Sequence, residues 1–172
     1  MTTSPERGPD EPESELVLDL GLLRDPVHFL ALGFGAGLAP VAPGTFGSLV
    51  GLGIGACLLG GPGRGALAAA ALLAVLAGIV ICGASARRLR VHDHPAIVWD
   101  EIAGQMIALL AAPATWWGGL LAFAAFRLFD IWKPWPIREV DHGMRGGLGI
   151  MLDDVLAGLL AALTLVPLKF VA

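Results

Sequence analysis

Charge is scarce in this chain. Only 15% of its 172 residues are Asp, Glu, Lys or Arg, 56% are hydrophobic, and the mean hydropathy is +0.75. A soluble domain carries about a quarter charged residues. Composition therefore indicates a membrane protein, with a buried all-helical protein as the weaker class, and the length suits one domain. The balance of 11 basic and 15 acidic residues gives a net charge of −4 and no basic face, which excludes nucleic acid as a partner. Cysteine is also scarce. Cys57 and Cys82 both lie in apolar runs and read as buried small hydrophobes, not as a disulfide or metal pair. No Cys and His set has zinc spacing; His92-Asp93-His94 comes nearest and reads as a polar loop. The start of the chain lacks a basic region followed by an apolar core, so no cleavable signal peptide is expected. No Ser-His-Asp or Cys-His arrangement is evident, and nothing specifies an oligomer.

What is present is a series of apolar runs. Residues 1–25 are rich in Glu, Pro, Ser and Asp and are expected to form a flexible acidic tail, with Val17–Leu23 as a short surface helix. Residues 26–172 form the membrane domain. The Gly- and Pro-rich stretch Gly33–Ser48 stops regular structure, and Thr45 reads as the N-cap of an apolar helix reaching about Leu59. That helix start has two readings: an anion site, or a segment whose small residues allow close helix packing. Ala66–Cys82 is the clearest span. It ends at Arg87-Arg88-Leu89-Arg90, which the positive-inside rule places in the cytoplasm together with the N-terminus. Ile102–Ala112 is roughly half the length a bilayer core needs, so it either extends back through Asp100 and Glu101 or is re-entrant. Trp116-Trp117 read as an interfacial belt. Leu120–Phe129 returns to the cytoplasm, and Leu148–Ala172 crosses outward. The expected fold is an all-α, compact polytopic bundle with short helices.

That topology, drawn from apolar runs and basic loops alone, puts Asp100, Glu101, Asp130, Asp141, Asp153 and Asp154 on one side of the membrane. Ionisable groups at the edge of a hydrocarbon-like segment are costly and usually functional. The adjacent Asp153 and Asp154 repel each other, so a proton or a cation must neutralise them. Hard oxygen ligands at this density suit Mg²⁺ or Mn²⁺. Asp100 and Glu101 precede one apolar segment, Asp153 and Asp154 precede another, and Asp130 ends a third, forming a rim of carboxylates. Lys133, stiffened by Pro134 and Pro136, is placed to hold a phosphate. Arg138 and Arg145 read equally as phosphate ligands or as positive-inside loop charge. Arg127 reads as the partner that orients Asp130. A metal among these acids, with cations beside it, fits phosphoryl chemistry with one carboxylate as general base.

The motifs Gly33-Phe34-Gly35-Ala36-Gly37-Leu38-Ala39-Pro40, Ala42–Ser48, Ile97-Val98-Trp99-Asp100-Glu101, Phe126–Arg138 and Gly146–Asp154 stand in one order. Together they resemble the bacterial phosphatidylglycerophosphatase A family from about Phe29 to about Val166. The resemblance implies an all-helical, Mg²⁺-dependent lipid phosphatase of the inner membrane. Such an enzyme would convert phosphatidylglycerol phosphate to phosphatidylglycerol and inorganic phosphate. Carried over residue by residue, it makes Asp100, Glu101, Asp130, Asp153 and Asp154 the metal and catalytic acids. It makes Lys133, Arg138, Thr45 and Ser48 substrate contacts. The alternatives are another metal-dependent phospholipid-headgroup enzyme and a non-enzymatic ion or proton transporter. The CDP-alcohol phosphotransferase pattern Asp-x-x-Asp-Gly-x-x-Ala-Arg is absent, as are the Ser-Gly-His and Asp-x-Asp patterns of other phosphatases. A transporter would place its acids on both halves of a repeat, and no repeat is seen.

Overall fold

A computed structural model describes residues 20–91, 94–144 and 146–170, excluding the side chains of residues 20, 140–142, 169 and 170. Among the described residues the secondary structure is entirely helical. The helices are α1 (Pro26–Ala31), α2 (Pro43–Gly60), α3 (Arg64–Leu89), α4 (Trp99–Ala111), α5 (Trp116–Trp132), α6 (Ile137–Gly143) and α7 (Gly146–Leu165). Three of the helical segments, Pro43–Gly60, Arg64–Leu89 and Gly146–Leu168, are long and apolar enough to cross a membrane. The expected polytopic all-α bundle is what forms.

Local chemistry sets the helix ends. Pro43 opens α2, where a residue without an N–H loses nothing. Ala42, in the left-handed region, is the N-cap. Thr45 therefore sits inside the first turn and is not the cap, a correction to the sequence reading. Thr115 caps α5 through a bond that its Oγ1 accepts from Gly118 N–H, at 3.1 Å. α7 begins at Gly146, so Asp153 and Asp154 lie two turns inside it, about 12 Å along its axis. The expectation that these acids precede a helix is corrected accordingly.

Residues 20–25 are built into the fold as well. Leu20–Arg24 is a 3₁₀ turn in place of the surface helix expected there. Asp25 caps α1 by accepting from Val27 N–H and pairs with Arg88. That N–H, and after it Arg88, hold the Asp25 carboxyl below its ordinary value. The acidic stretch before Leu20 lies outside the described residues.

α4 is the centre of the bundle. Nearly every residue from Ile102 to Ala111 is buried, against α2, α3, α5 and α7. Its 13 residues cover about 20 Å, short of the roughly 30 Å of a bilayer core. The helix does extend back through Asp100 and Glu101, as one of the two sequence readings required. Its entry is fixed by neighbours. Val98 N–H donates to the Ala31 carbonyl at 2.9 Å, and Trp99 Nε1 donates to the Ala74 carbonyl at 2.9 Å. A Cβ at Gly37 would lie 1.9 Å from the Ala96 carbonyl oxygen, so only glycine lets the two backbones meet.

The other end of α4 depends on one side chain. The last carbonyls of a helix have no partner within it. Arg64, at the start of α3, donates from Nη1 to the Leu110 carbonyl and from Nη2 to the Ala112 carbonyl, each at 2.7 Å. A short helix can thus end in an apolar setting with two of its carbonyls satisfied. On the opposite face, Gly104 and Gly158 bring α4 and α7 together. A Cβ at Gly158 would lie 2.4 Å from the Gly104 oxygen. In a bilayer such close approach, more than hydrophobic transfer, favours helix association.

Candidate active site

The helices place the sequence's acids at one end of the bundle, recessed below the α7 start. Asp100 and Glu101 occupy the first turn of α4, and Asp154 faces them from α7. One carboxylate oxygen from each lies within 4.8 Å of the others. Asp100 and Asp154 are 8% and 3% exposed. Glu101 Oε2 is buried and has no hydrogen-bond partner. Asp130, on the last turn of α5, is close enough to Asp154 for the two carboxylates to repel. The rim expected from the sequence is a buried pit, with Asp154 two turns inside α7 and Asp100 and Glu101 in the first turn of α4.

Cations border this cluster without cancelling it. Arg127 Nη1 pairs with Asp130, as its one-turn spacing predicted, and reaches Ser48 Oγ at 3.4 Å. Lys133, the left-handed residue that ends α5, donates from Nζ to Asp153 Oδ2 at 2.7 Å. Among the described residues, Arg127 and Lys133 thus pair with Asp130 and Asp153, the acids that flank the Asp100–Glu101–Asp154 group. The Asp100, Glu101 and Asp154 oxygens form an all-oxygen set of the kind hard divalent ions take.

The expected substrate contacts are placed unevenly. Ser48 is fully buried, donates its hydroxyl to the Gly44 carbonyl at 2.8 Å and touches Arg127. Thr45 is half-buried in the same turn, and Arg138 is exposed at the start of α6. The Asp141 side chain, His92, Asp93 and Arg145 lie outside the described residues. His94 accepts from Ala96 N–H at 3.1 Å and belongs to the turn before α4. Cys82 is buried as expected, but Cys57 is exposed on α2, because α2 turns that face away from the bundle.

Two residues at the site were missed by the sequence reading. A Cβ on Gly44 would lie 2.2 Å from Glu101 Oε1 and 3.2 Å from Arg127 Nη1, so this glycine makes room for both charged groups. Gln105 is fully buried, one turn after Glu101, and neither of its amide atoms has a hydrogen-bond partner. Its i,i+4 spacing from Glu101 was the available signal. Gly33, Gly37, Gly44 and Gly47 of the Gly33–Ser48 stretch pack on residues 96–102, in agreement with the packing reading of that segment.

Comparison with known proteins adds the family. The model of the family described as phosphatidylglycerophosphatase A matches residues 29–169. The chain belongs to that family. It is 42% identical over 141 residues to phosphatidylglycerophosphatase A of Escherichia coli K12, covering 81% of each chain. It is 44% identical over 149 residues to the Haemophilus influenzae protein of the same name, covering 86% of this chain and 91% of the relative. A Bacteroides thetaiotaomicron protein, named only provisionally as a phosphatidylinositol-3-phosphatase, is 37% identical over 153 residues, covering 83% and 92%. No solved structure matches the chain. The phosphatidylglycerophosphatase A match takes in the end of α1, all of α2 to α7 and every described acid of the cluster.

Proposed function

We propose that this chain hydrolyses phosphatidylglycerol phosphate to phosphatidylglycerol and inorganic phosphate. The reaction would occur at the Asp100–Glu101–Asp154 cluster, in the bacterial inner membrane, with that end of the bundle facing the cytoplasm. The convergence of three carboxylates from α4 and α7 within 4.8 Å, at the polar end of apolar helices, carries the reading. The names of the E. coli and H. influenzae relatives supply the substrate. The orientation rests on Arg87 and Arg88, which lie at the same end of the molecule in the last turn of α3.

The donor set fits a divalent ion. Glu101 Oε2 is a buried oxygen without a partner, and three mutually repelling carboxylates require positive charge or protons. Asp100, Glu101 and Asp154 would hold Mg²⁺, or Mn²⁺, with Asp130 and Asp153 beside it. Bound there, the ion would supply Lewis acidity to the phosphoryl group and acidity to a coordinated water.

The chain's own residues account for the rest. Arg127 and Lys133 hold the phosphate oxygens, the first as a fork and the second as a point charge. The buried Arg127 Nε, which has no partner, remains available as a donor. The Ser48 and Thr45 hydroxyls lie on the Arg127 side, and Arg138 meets the headgroup at the mouth. Asp130 or Asp153 takes a proton from the attacking water. The new P–O bond forms as the bond to the glycerol oxygen breaks, and that oxygen leaves on phosphatidylglycerol.

Phosphate release from phosphatidylglycerol phosphate, phosphatidic acid and phosphatidylinositol 3-phosphate, in EDTA and after Mg²⁺ addition, tests the assignment. Mg²⁺-restored release with preference for the first is expected. Preference for either other lipid would overturn the substrate, and chelator-insensitive release would overturn the metal.

A further inference from the structure

The polar cluster is one end of a longer feature. On α2, Gly44 and Ser48 are followed at helical spacing by Leu52 and Ala56. On α4, Glu101 is followed by Gln105 and Leu109. On α5, Arg127 lies on the stripe that runs back to Leu120 and Trp116. Each of these stripes is polar or small toward the acid end and apolar toward the other. At the apolar end the stripes border an open cavity of about 380 Å³, lined by Leu52, Ala56, Leu109, Trp116, Gly119 and Leu120 among others. Leu109 lies about 12 Å along the axis from Glu101. Between them sits Gln105, buried and without hydrogen-bond partners.

We infer that this cavity receives one acyl chain of the phospholipid whose headgroup occupies the carboxylate pit, an inference that rests on the lipid phosphatase reading above. The polarity sequence is that of a phospholipid. Phosphate meets Arg127 and the acids, the ester region lies level with the Gln105 amide, and the hydrocarbon enters the Leu52–Leu120 cavity. An ester carbonyl accepting from Gln105 Nε2 would remove the cost of a buried unpaired amide. A single acyl chain fits the occupant better than a peptide, because the cavity wall is mostly apolar, with Thr115 its one polar side chain, and offers backbone amides little to bond.

The test compares phosphatidylglycerol phosphate bearing hexadecanoyl chains with the same lipid bearing butanoyl chains, using the full-length protein in detergent. Gly119→Phe and Ala56→Phe fill the cavity and leave the acids untouched. Wild type is expected to prefer the long-chain lipid, and each variant to lose at least about tenfold in kcat/KM on it with little change on the short-chain lipid. Leu52→Ala, which enlarges the cavity, guards against variants that merely fold poorly, and should leave long-chain turnover intact. Equal losses on both lipids, or no loss on either, would overturn the acyl-chain site. A wild-type protein that releases phosphate from neither lipid would instead overturn the phosphatase reading.

Discussion

The two ends of α4 handle charge in opposite ways. At its C-terminal end one cation, Arg64, meets two carbonyls, and each bond is 2.7 Å long. At its N-terminal end Asp100 and Glu101 meet Asp154, and like charges are pressed together with Glu101 Oε2 left unpartnered. Both ends are costly to bury. The first has its cost offset within the fold, which is what a structural feature requires. The second keeps a buried carboxylate oxygen unpartnered among acids, a repulsion that a proton or a bound cation relieves. On the reading proposed above, the difference separates the charge that builds the bundle from the charge that acts.

Substitutions at the two ends should therefore separate activity from stability. The largest effect is expected for Asp154→Asn and Asp100→Asn. Each should lower phosphate release by at least about 100-fold, since losing even an outer partner of a metal site costs about 10–100-fold. Thermal unfolding in EDTA should show these variants as stable as wild type or more so, because a repulsion is gone. Loss of both activity and stability would mean that the acids hold the fold.

Arg64→Ala should do the reverse. Two carbonyls lose a charged donor, each worth about 1.5–3 kcal/mol, so unfolding should occur at distinctly lower temperature or denaturant. Protein that remains folded should keep most of its turnover. An unchanged melting temperature would show that water or lipid can replace the guanidinium.

Gly44→Ala is predicted to be intermediate. The new methyl must displace the Glu101 carboxylate, the far end of a flexible side chain, so the fold should survive. A shift of about 1 Å at a reacting centre can cost about 100-fold, and a fall in kcat between about 10- and 100-fold is expected with little change in melting. Wild-type kcat would remove Glu101 from the site.

Lys133→Ala should raise KM by about tenfold, since one charge-assisted contact of about 1.5 kcal/mol is lost. Mg²⁺ dependence should change less. Because Lys133 also pairs with Asp153, a larger effect on Mg²⁺ dependence than on KM would reassign it to holding that acid.

The smallest effect belongs to a charge outside the comparison. The Asp25 carboxyl is depressed in the folded chain, so its contribution is present at neutral pH and lost as pH falls through that lowered value. Asp25→Asn should flatten the acid side of the stability profile slightly, and an identical profile would show the cap contributes nothing.

The fold class was legible because few charges and long apolar runs leave no alternative to helices in lipid. One-sidedness of the acids was legible too, because basic loops fix which helix ends share a side. Arg127 was correctly paired with Asp130 because three residues make one helical turn. Depth was not legible. Asp153-Asp154 marked the start of an apolar run, whereas α7 had already begun at Gly146, since glycine and leucine between them give no sign of a helix end. The role of Arg64 was hidden as well, because its partners are backbone carbonyls about 46 residues away, and any residue type supplies those.

The order of residues therefore determined that Asp100, Glu101, Asp130, Asp153 and Asp154 would gather at one end of an apolar bundle with Arg127 and Lys133 beside them. Apolar length and basic loops act locally and leave their mark on the chain itself. Tertiary structure alone decided that Asp100, Glu101 and Asp154 would share one pit, that Gly44 would make room for it, and that an apolar cavity would open farther along α4. Those outcomes depend on how α2, α4, α5 and α7 turn about their axes when glycines let them close, and rotation is settled only by the neighbour on the other side.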